Sequence, residues 1–335
     1  MHPALEYTAR RRGGVFTVAD ARRAGYRPDE IRTAIVTGAW RRLRRGIFVT
    51  AAVWAAAADD ERARHLLAAV ATLTALGPGP VVSHSSAARF HSLVLPRSVG
   101  DVIRLTDPDQ WRVGRGYQIA AAALAGEDVV DTGPFVVTGV ARTLVDCARE
   151  WPLVDAVVAI DAALFKKHVR RSDLTAAVLR QSHWLGIGEA ARAVGLADGR
   201  AESPLESSGR MALLRAGLAP PELQVDLYGP RGFVARLDGW YEEAAVAVEF
   251  DGFVKYVDPR DGRTPAEVAW EEKRREDEIR ALDVRVVRVV QADLPQLHGP
   301  AERLKKLLAE PLSGPRRFRV VRRPEPGSDV ADEVA

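Results

Sequence analysis

Cysteine is almost absent from this 335-residue chain: Cys147 stands alone. A single thiol excludes an internal disulfide framework and any zinc site built on paired cysteines. It fits a reducing compartment, so a cytoplasmic location is expected. Long apolar runs are also missing. The best stretch, Leu66 to Leu76, contains Thr72 and Thr74 and falls short of the ~18 residues of a spanning helix. The first residues carry no apolar signal-peptide core, and no membrane contact is expected. Lysine is scarce as well, with 6 among 48 basic residues, so the positive charge is nearly all arginine. No internal repeat and no long low-complexity tract is visible.

What is present fits a soluble protein with real cores: 47% hydrophobic and 28% charged residues, and a length that suggests about two domains. The net charge of +3 is too small to announce a nucleic-acid binder, but its distribution is informative. Residues 1–50 hold 11 Arg against Glu6, Asp20, Asp29 and Glu30, a balance of 11 − 4 = +7, so the rest of the chain sums to −4. A basic head on a slightly acidic body points to an anion-seeking module.

The pattern predicts an α/β multidomain protein: a head over 1–52, a mixed α/β middle region over 55–195, an αβββαβ domain over 200–312 and a loose tail over 313–335. In the head, Thr17-Val-Ala-Asp20 is a capping box that opens a short helix ended by Gly25. Pro28, Asp29 and Glu30 start a second helix, with Ile31, Ala34 and Ile35 on one face. Trp40 to Val49 reads as a basic hairpin bending near Gly46. Helix, turn, helix and basic hairpin is the order of a winged helix-turn-helix. Arg32 and Thr33 are its candidate groove-facing residues. Arg41, Arg42, Arg44 and Arg45 are its candidate phosphate contacts.

The middle region shows helical patterns over 60–76, 140–149, 153–166 and 172–181, and β-like runs at 102–105, 117–121 and 135–137. It carries no chemical motif. His84 and His91 lack acidic partners at ligand spacing and read as satisfied histidines.

The αβββαβ region holds the sharpest constellation. Ser203-Pro-Leu-Glu206 is a second capping box. Along the strand 245–251, period-two alternation puts Glu249 and Asp251 on one face beside Ala245 and Ala247. Asp238 ends the preceding strand. Charges two residues apart on a strand lie roughly 6–7 Å apart and repel by ~2–3 kcal/mol at an effective dielectric near 20. A raised pKa, a cation or a bound metal must offset this, and oxygen ligands suit Mg²⁺ or Mn²⁺. Lys255 follows after Gly252. Pairing with Arg236, Lys255 or Arg288 is the structural alternative.

Asp238 with Glu249-Phe-Asp-Gly-Phe-Val-Lys255 resembles the PD-(D/E)XK, restriction-endonuclease-like superfamily, and 200–295 resembles its very-short-patch-repair-like domains. The resemblance implies Mg²⁺-dependent hydrolysis of DNA in phage defence or repair. It makes Asp238 and Glu249 metal ligands, with Glu206, Asp251 and Lys255 completing the catalytic set. The sequence departs from that pattern where Asp251 replaces the motif lysine. Gly14 to Gly25 with Trp40 to Val49 resembles the winged helix of AbiEi-type antitoxins from type IV toxin–antitoxin systems. That resemblance implies DNA binding and autoregulation, with a cognate toxin and a homodimer as expected partners. It leaves open a non-enzymatic regulator with a degenerate nuclease fold.

Overall fold

The computed structural model describes residues 1–251, 265–310, 312 and 314–326. It is a mixed α/β protein of two compact units. One is Met1–Trp151 with Ala176–Ala190; the other is Pro152–Thr175 with Ala191–Ala335.

The first unit begins with α1 (Pro3–Arg11), β1 (Val15–Thr17), α2 (Val18–Arg23), α3 (Pro28–Val36), β2 (Trp40–Arg44) and β3 (Ile47–Thr50). Thr17 caps α2, and Asp20 answers to the Thr17 amide, as the motif predicts. Helix α1 was not predicted. Its signals were Pro3 at the first turn and Leu5 and Ala9 four apart, both buried. The three strands pair in the order β1-β3-β2, all antiparallel. Gly46 turns the β2–β3 hairpin with φ +73°.

Both faces of this small sheet are covered. Phe16, Trp40 and Phe48 pack with Leu5, Ala21 and Ile31 from the three helices. The Phe16 ring meets Trp40 edge-on at 4.9 Å. On the other face Val15, Ile47 and Val49 pack against α4 (Ala51–Ala56) and α5 (Glu61–Leu76) through Val53, Leu67 and Val70.

The same unit continues with β4 (Val81–Val82), α6 (His84–Phe90), β5 (Ile103–Asp107), β6 (Arg112–Gly114), β7 (Tyr117–Ala121), β8 (Val129–Asp131), β9 (Val136–Thr138) and α7 (Val140–Ala148). The strands form one sheet in the order β6-β7-β5-β4-β9-β8. The histidines are satisfied: His84 Nδ1 meets the Ser83 hydroxyl at 2.8 Å, and His91 Nε2 meets the Thr138 carbonyl at 2.7 Å. Cys147 is buried in α7, where burial pushes its thiol well up.

Helices α8 (Leu153–Phe165), α9 (Arg171–Arg180) and α10 (Ile187–Leu196) follow. The αβββαβ order is present as α11 (Pro204–Arg215), β10 (Glu222–Gly229), β11 (Gly232–Tyr241), β12 (Val246–Asp251), α12 (Pro265–Arg280) and β13 (Arg285–Val290), with α13 (His298–Leu308) after it. Strands β10, β11 and β12 are antiparallel, and β12 runs parallel to β13. Val246, Val248 and Phe250 pack on one face with Leu213 of α11 and Leu304 of α13. Ala245, Ala247 and Val286 pack on the other with Ile279 of α12. The alternation read from the sequence holds. Gly209 lets α11 approach: a Cβ there would lie 2.2 Å from the Phe250 ring.

The tail expected to be loose is tied down in part. Arg319–Val321 forms β14, antiparallel to β10, and Phe318 and Val320 join the core. A free sheet edge with apolar residues beside it is reason enough for the added strand.

Candidate nucleic-acid interface

The head's charges separate into two populations. All four acids are engaged by arginines. Glu6 pairs with Arg10, Asp20 with Arg12 and Arg23, and Asp29 and Glu30 both with Arg27. Arg27 also donates its backbone N–H to Glu30 at 2.7 Å. The two carboxylates at the start of α3, which would repel phosphate, share the single guanidinium of Arg27, which offsets one of their two charges. Arg11, Arg22, Arg32, Arg41, Arg42 and Arg45 are exposed and have no acidic partner among the described residues.

On α3, Asp29, Arg32, Thr33 and Val36 follow the i, i+3, i+4, i+7 spacing of one helix face. Arg32 and Thr33 are exposed, and Val36 is 79% exposed, an apolar side chain with nothing packed on it. Arg, Thr and an apolar methyl are side chains that read base edges in a major groove.

The hairpin arginines divide. Arg41 lies 4.0 Å above the Trp54 ring and Arg42 5.8 Å from the Phe48 ring, each keeping an exposed guanidinium. Arg45 projects at the turn. Arg44 behaves differently from expectation. It is half-buried, donates to the Arg115 carbonyl at 3.2 Å and sits 5.4 Å from the Tyr117 ring. Burial lowers its pKa. A bulge between Arg42 and Arg44 turns this side chain toward the neighbouring sheet, so it braces the hairpin. Sequence alternation alone did not reveal the bulge.

The carboxylates of the αβββαβ domain are held as follows. Glu206 is buried at the third position of α11. It accepts from the Ser203 hydroxyl at 2.7 Å, the Glu202 amide at 2.9 Å and the Gln224 amide group at 2.8 Å. Burial raises its pKa, the Glu202 amide opposes this, and the nearby Asp238 charge raises it further. Asp238 accepts from the Phe250 backbone N–H at 2.9 Å. Glu249 meets Arg275 of α12 at 3.3 Å. Asp251 meets Arg288 of β13 at 2.8 Å, and Arg288 also reaches Glu276 at 3.5 Å. Arg236 pairs instead with Asp226 and Glu202. Lys255 lies outside the described residues.

Glu206 and Asp238 are thus brought together, while Glu249 and Asp251 are drawn to arginines. Among the described residues no group of three or more His, Cys, Asp or Glu could hold a metal ion. A guanidinium on each of two acids supplies the compensation that a cation would otherwise give. Sequence reasoning missed Arg275, because only the tertiary fold lays α12 over β12. It named Arg288 as a partner, and the parallel register of Glu249 with Arg288 places it there.

The α1-β1-α2-α3-β2-β3 order with a basic hairpin defines the head as compatible with a winged-helix, DNA-binding module. Residues 3–51 match the family described as "Transcriptional regulator, AbiEi antitoxin". An uncharacterised protein of Mycobacterium tuberculosis, in strains CDC 1551 and H37Rv, is 34% identical over 122 residues. That match covers 36% of this chain and 45% of the relative, so it spans less than half of either. No helix among the described residues is long and apolar enough to cross a membrane.

Proposed function

We propose that this chain is a DNA-binding transcriptional regulator of the antitoxin type. Its head would lay α3 in a major groove and the β2–β3 hairpin against adjacent phosphates. One observation carries the reading: every acid of the head pairs with an arginine, and six exposed arginines are left with no acidic partner among the described residues. Arg32, Thr33 and Val36 then read bases, and Arg41, Arg42 and Arg45 supply sequence-independent grip. Under this reading the αβββαβ domain is a platform, and a cognate toxin is the expected partner. The test is binding of the full chain to duplex DNA from upstream of its own gene, with a promoter reporter beside it. Arg32→Ala with Thr33→Ala is expected to relax sequence preference, while Arg42→Ala with Arg45→Ala weakens binding to all sequences. Equal affinity of wild type and both variants would remove the reading.

A second reading, a metal-dependent endonuclease acting in defence or repair, draws on the αβββαβ order and on the Glu206–Asp238 coupling. The arginines on Glu249 and Asp251 count against it. Incubation of the full chain with plasmid and Mg²⁺ or Mn²⁺ separates the two. Nicking that Asp238→Ala abolishes would favour the enzyme. No nicking by either form, with promoter binding intact, would favour the regulator.

A further inference from the structure

We propose that the β6–β7 hairpin is a second phosphate-gripping arm beside the β2–β3 hairpin, so that Arg112 and Arg115 hold the same duplex as the head. This rests on the DNA-binding reading of the head. The two hairpin turns are fastened to each other. Arg44, next to the first turn, donates to the carbonyl of Arg115 in the second at 3.2 Å. A Cβ on Gly116 would stand 3.8 Å from the Arg44 guanidinium. Both turns rest on glycines of positive φ, Gly46 at +73° and Gly116 at +74°. The second arm therefore presents its side chains next to those of the first.

Cations gather at this junction. Arg44 lies 5.4 Å and Arg112 5.9 Å from the same Tyr117 ring. Arg112 and Arg115 are exposed, with no acidic partner among the described residues. Of the acids leading into the hairpin, Asp107 at the end of β5 is turned inward, where it accepts from the Asp109 amide at 2.9 Å and from Gln110 at 2.7 Å, while Asp109 is exposed and meets no arginine among the described residues. With Arg42 and Arg45 this makes four exposed guanidinium groups on two adjoining turns. Such density of one sign is matched by a polyanion of regular spacing.

A second copy of the chain is the rival occupant, because β6 is a sheet edge with Trp111 at 67% and Val113 at 61% exposure. An isologous pair of β6 edges would set Arg112 and Arg115 of one copy against those of the other. Like charges opposed across strands disfavour that pairing.

The experiment uses the full chain and a labelled duplex of random sequence, titrated at several salt concentrations. Arg115→Ala is expected to lower the slope of log affinity against log salt by about 0.9 and the affinity about eightfold near 0.1 M salt. Arg112→Ala with Arg115→Ala doubles the change in slope. Arg115→Glu, whose side chain meets no described partner, gives the larger loss without disturbing the Tyr117 contact. Unchanged slope and affinity in these variants, while Arg42→Ala with Arg45→Ala weakens binding, overturns the second arm and leaves the head reading standing. Absence of duplex binding by the wild type overturns both. A concentration-dependent dimer that Trp111→Ala dissolves, with DNA affinity unmoved by Arg115→Glu, overturns the proposal in favour of a second copy.

Discussion

Two capped helix starts sit in two regions of this protein, and their acids respond in opposite directions. Asp20 answers Thr17 at the start of α2, and Glu206 answers Ser203 at the start of α11. Locally they differ by one bond: Asp20 accepts from the amide of its N-cap residue Thr17, whereas Glu206 accepts from the Glu202 amide one residue before its N-cap. Burial alone would raise the Asp20 carboxyl, yet the Thr17 hydroxyl and amide and the guanidinium groups of Arg12 and Arg23 outweigh it, and its pKa is lowered. Burial raises Glu206 too, and there the neighbouring charge is Asp238, another acid, so its pKa stays raised. The motif fixes where the carboxylate stands. The company it keeps decides its charge. The same contrast runs through both regions: the head pairs its acids with arginines and keeps other arginines to spare on its surface, whereas the sheet of β10–β13 commits Arg275 and Arg288 to its own carboxylates.

The largest test of that contrast is charge reversal on the head. Arg42→Glu with Arg45→Glu is expected to weaken duplex binding by at least about 10²-fold near 0.1 M salt, each lost phosphate contact being worth roughly eightfold. Fluorescence anisotropy reads this directly. A loss of the same size from Arg275→Ala would show that the two regions do not differ as described.

The next test is pH. Asp20→Asn removes charge-assisted hydrogen bonds and is expected to cost about 2–3 kcal/mol at neutral pH. A lowered carboxyl pKa contributes stability above the unfolded value, 3.8, and loses it as pH falls through the folded one. The penalty of Asp20→Asn therefore shrinks in acid. Glu206 has the opposite sign: its raised pKa means that stability is lost as pH climbs above 4.5. The penalty of Glu206→Gln is greatest in acid and shrinks toward neutrality. Urea unfolding of the three proteins across the acid range checks both slopes, and parallel slopes would refute the contrast.

Gly209→Ala probes packing where the sequence offered no charge at all. Its Cβ meets the Phe250 ring, so a loss of about 1–3 kcal/mol is expected, seen as a lower urea midpoint with an unchanged slope. The smallest effect is expected from Arg288→Met, about 1 kcal/mol, because Arg288 is partly exposed and Asp251 is left less well compensated. Adding Asp251→Asn is expected to restore most of that loss. Failure of the rescue would mean that Asp251 has a task other than pairing.

Much of the fold was legible along the chain. The capping box at Thr17, the Ser203 cap of α11, the hairpin at Gly46, the long helix of Glu61–Leu76 and the alternation of 245–251 all stand where their patterns place them, though Glu206 reaches the Glu202 amide and not that of Ser203. Strands β4, β6 and β8 have two or three residues, too few to show a period, and they escaped the reading. Of the candidate interface, the sequence named Arg32, Thr33, Arg41, Arg42 and Arg45, all of them exposed, but the pairing of Arg27 with Asp29 and Glu30 depends on side-chain geometry that composition does not carry.

What the sequence determined by itself is local: which segments coil or extend, where helices begin, and that the first fifty residues carry an excess of positive charge. Those follow from hydrogen bonding and apolar spacing within a few residues of each other. Only the tertiary structure decided which charges survive to meet a partner. Electrostatic energy falls with distance in space, and the fold brings Arg275 to Glu249 and Arg44 to Tyr117 across separations in sequence that no pattern spans.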